Sequence, residues 1–292
     1  MNAERWYSRA EVRRASPLPT SLSWDDTAGV CFAREAAPHA THPLAEKQGQ
    51  DAVRALLRKA LVRYLHGTSV LEIRVVNPVA ADVAHGGLGW DFDQNTRVLA
   101  LALTTDEGYH ALRASELLAS LGANEAHEPA PVFCERLDRL LHSSGQSAGE
   151  QRLLRFLFTV VTETVISANL KHLATNAAVC APVRAFVAEH SRDEAWHGAF
   201  FAKLLLERWP VLAPSEQRRL GEQIPSLLAA FLEPDRDRIV ADLTSVGLSA
   251  AQAEGVFEEA YGTEAWRAEM SRAARPALSC YQRAHVFPEH VS

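Results

Sequence analysis

Glu189-His190-Ser191-Arg192-Asp193-Glu194-Ala195-Trp196-His197 places His190, Glu194 and His197 at i, i+4 and i+7, along one face of an α-helix. Two imidazoles and a carboxylate on one stripe form a metal-ligand set, because neutral nitrogen together with anionic oxygen suits iron or manganese. Facing a core without a cation, the same stripe would be costly to bury. A shorter copy occurs upstream: Asp106-Glu107-Gly108-Tyr109-His110 repeats the Asp-Glu-x-x-His of Asp193-Glu194-Ala195-Trp196-His197. One Glu-x-x-His arises by chance about once in a chain of this composition. The weight therefore rests on there being two, each on a long predicted helix.

A carboxylate-bridged two-metal site in a four-helix bundle takes one Glu from each of two helices and a Glu-x-x-His from each of the other two. Glu72 and Glu163 are the candidates for the single glutamates, Glu72 preceding Glu107 and Glu163 preceding Glu194. From Glu72 to the Gly86-Gly87-Leu88-Gly89 turn is about 14 residues, and from Asp93 forward to Glu107 is again about 14; at about 1.5 Å per residue the two arms of an antiparallel hairpin match. The second hairpin balances in the same way about a turn near Asn176 and Pro182. Glu163 lies inside Val160-Val161-Thr162-Glu163-Thr164-Val165-Ile166, where an ionised carboxylate needs a cation or a partner. The plainer readings are that it caps a neighbouring helix or pairs with an arginine, and that Glu72, with Arg74 nearby, is a surface residue. Asp106 and Asp193 each precede a ligand glutamate; they either hold an imidazole N–H in the same or the opposite helix or are ordinary solvated acids. His190 is surplus to a minimal two-histidine site, as a seventh ligand or as a donor behind the ligands.

Periodicity makes the chain all-α. A helical pattern starts near Ala45, with Gly67 and Thr68 as an interruption and Pro78 as a kink or break. A second helix runs from a polar cap in Asp91–Asn95 to Gly122, and a shorter one covers about 131–143. Gln151–Leu173 is apolar nearly all round and belongs at the centre of a bundle. The helix carrying the opening stretch ends before Pro210. Three or four more follow, with Ser215 an N-cap, Ser249 opening a capping box, and Pro225 and Pro276 bending or ending elements. The expected organisation is one all-α domain over residues 1–292: an irregular N-terminal arm (1–44), a diiron four-helix core (45–208) and additional C-terminal helices (209–292).

Composition narrows the class. Of 292 residues, 47% are hydrophobic and 23% charged, an ordinary globular balance. A net charge of -6 argues against a nucleic-acid surface, no apolar run is long enough to span a membrane, and the charged N-terminus lacks an apolar signal core. Cys31, Cys134, Cys180 and Cys280 are far apart and read as reduced thiols, so a cytoplasmic location is expected.

The ligand pattern resembles the p-aminobenzoate N-oxygenase family, ferritin-like non-haem diiron enzymes of specialised metabolism. The family signature is a Glu, a Glu-x-x-His, a Glu and a His-x-x-x-Glu-x-x-His, matched here by Glu72, Glu107 with His110, Glu163, and His190 with Glu194 and His197. The extra histidine separates this family from the commoner two-histidine diiron proteins, and the resemblance covers about residues 45–208. It implies a ferritin-like four-helix bundle holding two Fe ions that cycle between Fe2+ and Fe3+, with O2 as co-substrate and an external electron donor or reductase. It further implies a small-molecule amine substrate, oxidised to hydroxylamine, nitroso or nitro, a place in antibiotic biosynthesis, and a homodimer. The family member acting on p-aminobenzoate carries a substrate-binding arginine shortly before the first ligand glutamate. Tyr64 falls where a companion, substrate-binding tyrosine is expected, but Gly67 takes the arginine's place. Either Arg63, Arg74 or another cation substitutes, or the substrate is not an aryl carboxylate. The competing readings are a diiron oxygenase acting on carbon (hydroxylase or desaturase), a ferritin-like iron-binding protein, and a metal-free helical scaffold.

Overall fold

Caps written into the sequence set the limits of the long helices. In the computed structural model, which describes residues 3–14, 31–124, 127–143 and 146–287, Asp93 accepts the Thr96 N–H and starts α5 (Gln94–Ser120). Ser147 and Glu150 form a capping box at the head of α7 (Ala148–Thr175). Pro182 occupies the first turn of α8 (Ala181–Arg208), where its missing N–H costs no helical bond. Before these lie α1 (Ala3–Arg9), the single turn α2 (Pro43–Glu46), α3 (Gln50–Leu71), α4 (Asn77–His85) and, between α5 and α7, α6 (Val132–Leu141). Gly86 ends α4 at φ 80°, a conformation open to glycine without strain, and turns the chain back toward α5.

Two local expectations on the first arm are corrected. Gly67 and Thr68 do not interrupt α3, and Pro78 does not break the helix. Instead the chain winds one π-helical turn, Glu72–Val76, in which Asn77 N–H donates to the Glu72 carbonyl five residues back. The wider turn places Pro78 in the first turn of α4, where no intrahelical donor is required. Glu72 opens that π turn.

Antiparallel pairs α3–α4 with α5, and α7 with α8, pack together through α5 against α8 and α4 against α7. Two apolar clusters fill the bundle. Leu103, Val161, Val165 and Phe201 belong to one, and Leu61, Leu65, Leu117, Leu170 and Val187 to the other. The candidate ligands sit on the same helices between these two sets. Gly198 lets α8 close on α7 at that level: a Cβ there would stand 2.7 Å from Ser167 Oγ and 3.0 Å from the Glu163 carbonyl oxygen. The Ser167 hydroxyl occupies the space, 2.6 Å from the carbonyl oxygens of both Glu163 and Glu194.

Among the described residues beyond 208 there are five α-helices where three or four were expected: α9 (Pro214–Gly221), α10 (Ile224–Leu232), α11 (Arg236–Ser245), α12 (Ala250–Tyr261) and α13 (Glu264–Arg283). The N-cap of α9 is Ala213, whose N–H donates to Glu216, so Ser215 lies inside the helix. Pro225 opens α10, and Ser249 forms its capping box as expected. Pro276 sits within α13 without ending it, because that helix is held against α7 by a buried face that includes Ala277, Cys280 and Tyr281. The Tyr281 hydroxyl donates to the Leu157 carbonyl at 2.6 Å. Of the expected N-terminal arm, residues 1–2 and 15–30, with Pro17 and Pro19, lie outside the described residues. The part that is described lies across the body: α1 packs on α5, and the 3-10 turn Glu11–Arg13 bridges α5 and α8. Among the described residues there is no β-strand, and no helix is long and apolar enough to cross a membrane.

Candidate metal centre

Four helical elements deliver the expected side chains to one place. Glu72 comes from the π turn, Glu107 and His110 from α5, Glu163 from α7, and His190, Glu194 and His197 from α8. Their candidate donor atoms fall into two overlapping groups, each within 4.8 Å: Glu72, Glu107, His110, His190 and Glu194 in one, and Glu107, Glu163, Glu194 and His197 in the other. Glu107 and Glu194 are common to both. Glu72, Glu107, Glu163, Glu194 and His197 are 0% exposed, and His110 and His190 are 2% exposed. Neither Glu72 nor Glu163 is the surface or capping residue of the plainer readings, since none of their four carboxylate oxygens makes a hydrogen bond.

Burying such oxygens without donors is unfavourable by roughly 1–3 kcal/mol each, and more when charged. A cation between them would supply that partner. The spacing agrees: His110 Nδ1 lies 2.9 Å from Glu107 Oε2, and His197 Nδ1 lies 2.9 Å from Glu107 Oε1 and 3.3 Å from Glu194 Oε1. Donor atoms at right angles around an ion with bonds of about 2.1 Å would stand about 3.0 Å apart. His190 turns Nε2 toward Glu194 Oε1 at 2.9 Å and Glu72 Oε1 at 3.5 Å, inside the cluster and not behind it.

Electrostatics divides the carboxylates. Burial pushes Glu163 well above the usual range, helped by the charges of Glu194, Glu107 and Glu72. Burial also raises Glu72 to about 8, with Glu107 adding to it. Glu194 and Glu107 go the other way: burial opposes their ionisation, but His190 and His197 for Glu194, and chiefly His197 for Glu107, hold them below the usual value. For His110, burial disfavours the imidazolium, yet Asp193, Glu107 and Glu194 outweigh it and raise it to about 10. His197 and His190 are also raised against burial, His197 by Glu107, Asp106 and Glu194, and His190 mainly by Glu194 and Glu72. Without metal, protons take the place of cations, and a metal ion entering would displace them.

Asp106 and Asp193 are not solvated acids. Asp106 Oδ2 on α5 lies 3.3 Å from His197 Nε2 on α8, and Asp193 Oδ2 on α8 lies 3.3 Å from His110 Nε2 on α5. The two pairs cross between helices. Each directs the distal imidazole nitrogen to a carboxylate and leaves Nδ1 facing the glutamates. Outside them come residues that the sequence pattern did not reveal. Trp6 Nε1 donates to Asp106 Oδ1 and Oδ2 at 3.0 and 2.9 Å, and the Glu11 N–H donates to Asp193 Oδ2 at 3.3 Å. The Glu11 carboxylate is gripped by Arg192 through Nε at 2.7 Å and Nη2 at 3.0 Å.

Tyr64 lies two turns before Glu72, packed on Phe32 at 5.5 Å between ring centroids, and its hydroxyl is buried. Burial and the charges of Glu72 and Glu194 raise its pKa, so it faces the Glu72 side of the centre. Arg63 and Arg74 do not replace the arginine missing at Gly67. Arg63 is ion-paired with Asp242 of α11, and Arg74 is exposed. A Cβ at Gly67 would meet nothing within 4 Å. The four cysteines are free thiols.

An all-α bundle whose buried carboxylates and imidazoles form two overlapping sets of candidate metal donors has the architecture of the ferritin-like class. Within that class, the chain belongs to the family described as "P-aminobenzoate N-oxygenase AurF", which matches residues 5–284. The match therefore reaches well past the stretch 45–208 on which the ligand pattern rests. The 4-aminobenzoate N-oxygenase of Streptomyces thioluteus is 24% identical over 253 residues, covering 85% of this chain and 75% of that protein. The protein is accordingly an N-oxygenase by family, an oxidoreductase with a small-molecule substrate.

Proposed function

We propose that the protein uses O2 and two iron ions to oxidise the nitrogen of a small amine. Glu72, Glu107, His110, Glu163, His190, Glu194 and His197 would hold the metals. The observation carrying this reading is the set of hydrogen-bond-free, fully buried oxygens of Glu72 and Glu163 within the two donor groups. Bound there, the ions would supply the electrons and Lewis acidity for O2 reduction that side chains lack. The chain's own contribution is positional. Glu107 and Glu194 stand between the two donor groups, while Asp106 and Asp193 fix the imidazoles. Val160, Val161 and Val165, buried around Glu163, keep water from the centre. Tyr64, on the Glu72 side, is the proposed contact with the substrate.

The first oxidation balances as R-NH2 + O2 + 2 e− + 2 H+ giving R-NHOH and water. The electrons come from an external donor or reductase, and further rounds would give nitroso or nitro products. In this reading residues 1–292 form one domain in a cytoplasmic homodimer that serves specialised-metabolite, including antibiotic, biosynthesis. The Streptomyces relative is named for 4-aminobenzoate. Here Arg63 is held by Asp242 and Arg74 is exposed, which supports an amine recognised without an arginine–carboxylate clamp. The test is to load the protein anaerobically with Fe(II), supply reductant and O2, and compare 4-aminobenzoate with uncharged 4-aminobenzamide by mass spectrometry. Nitrogen-oxidised products, with the amide turned over at least as well, are expected. Products hydroxylated only on carbon would overturn the reading.

A further inference from the structure

Residues 3–14 make two contacts that reach past the surface. Trp6 is buried on α5 and α8 beside Ala10, Ala102 and Trp196, and its indole N–H is shared between both oxygens of Asp106. Five residues on, the Glu11 N–H meets Asp193, and Arg192 holds the Glu11 side chain in a two-point grip. One short segment thus touches both carboxylates that orient imidazoles: Trp6–Asp106–His197 on one limb, Glu11–Asp193–His110 on the other. The limbs end in different donor groups. His197 belongs to the set with Glu163, and His110 to the set with Glu72 and His190.

We propose that residues 6–11 are a positioning strap that sets the affinity and electronic environment of each metal ion separately through these two limbs. A carboxylate hydrogen-bonded to a ligand histidine fixes the ring's tautomer and raises its basicity. A second donor on that carboxylate restrains its rotation and draws charge from it. The indole N–H does this for Asp106, and the Glu11 N–H does it for Asp193. Arg192 is the anchor that keeps the Glu11 backbone in place, because a guanidinium–carboxylate fork fixes direction as well as distance. A purely packing role for Trp6 would need its ring but not its N–H, and the two roles separate on that atom.

The inference rests on the two-metal reading, and one experiment distinguishes failure of either. Metal-free full-length protein is titrated with Co(II), following heat and the visible d–d bands, for wild type, W6F, W6Q and R192A, with circular dichroism to confirm folding. Wild type binding fewer than two Co(II) per chain would defeat the two-metal reading whatever the variants do. Given two, W6F is expected to bind one ion about tenfold more weakly with a shifted band, the lower end of the range for losing such outer contacts. W6Q, which keeps an N–H donor at similar reach, is expected to recover part of both. R192A is expected to weaken the other ion, so that W6F/R192A shows both losses independently. Wild-type affinities and an unchanged spectrum in folded W6F, or in R192A, overturn the strap. Arg192 is largely exposed, so R192A carries the test alone if W6F does not fold.

Discussion

Replacing Glu163 with glutamine separates the metal-free protein from the metal-bound one. Without metal, burial among carboxylates holds Glu163 well above the usual range and favours its neutral form. Glutamine matches that neutral form in shape, and the metal-free variant is expected to melt within about 1 kcal/mol of wild type, or slightly higher, since surrounding charges favour a neutral group. With metal present the comparison reverses. An ion at 1,000 times its Kd stabilises the folded state by about 4.1 kcal/mol, and a 100-fold loss of affinity on removing a ligand leaves about 1.4 kcal/mol. For a chain of this size 1 kcal/mol corresponds to about 2 °C in Tm. Fe(II) should then raise wild-type Tm by about 8 °C and that of E163Q by about 3 °C. Anaerobic differential scanning fluorimetry at pH 7 measures both. A metal-free E163Q protein that melts far below wild type, or an iron-induced shift equal to wild type, would refute the reasoning.

The pH dependence of the metal-free protein follows from the same cluster. Glu72 is raised from 4.5 to about 8 and His110 from 6.5 to about 10, so both bind protons more tightly folded than unfolded. Their contribution is complete below the unfolded values and is lost as pH rises through the folded ones; Tm should fall between about pH 5 and 10, and Fe(II) loading should flatten that fall. Glu107 and Glu194, shifted downward, act in the opposite sense only below their unfolded value of 4.5. G198A forces a Cβ to 2.7 Å from Ser167 Oγ and should destabilise the fold by about 1–3 kcal/mol, read by urea denaturation. H190A should weaken one metal ion by at least about tenfold while sparing the ion on the His197 side, as stepwise calorimetric titration would reveal.

The clustering of these side chains was legible because the candidate ligands obey helical spacing. His190, Glu194 and His197 share one face, Glu107 and His110 repeat part of it, and equal hairpin arms bring Glu72 and Glu163 to the same level. The crossing of Asp106 to His197 and of Asp193 to His110 was half legible: the residues were marked, but whether each faced its own helix or the other depends on how α5 and α8 rotate against each other. The π turn at Glu72 was hidden because Pro78 reads as a breaker unless a wider turn precedes it. Trp6 and Glu11 carried no local signal, as they act on residues 100 and 182 positions away. Arg63 illustrates the converse. It stands near the right place in sequence, but its rotation about α3 commits it to Asp242.

Seven side chains are proposed to hold two metal ions through two overlapping donor sets. Anomalous diffraction at the iron edge from crystals loaded anaerobically with Fe(II) tests this most directly. The account predicts two peaks per chain, one contacting Glu72, His110 and His190 and the other Glu163 and His197, with Glu107 and Glu194 reaching both. A single peak, or iron bound away from these residues, would contradict it.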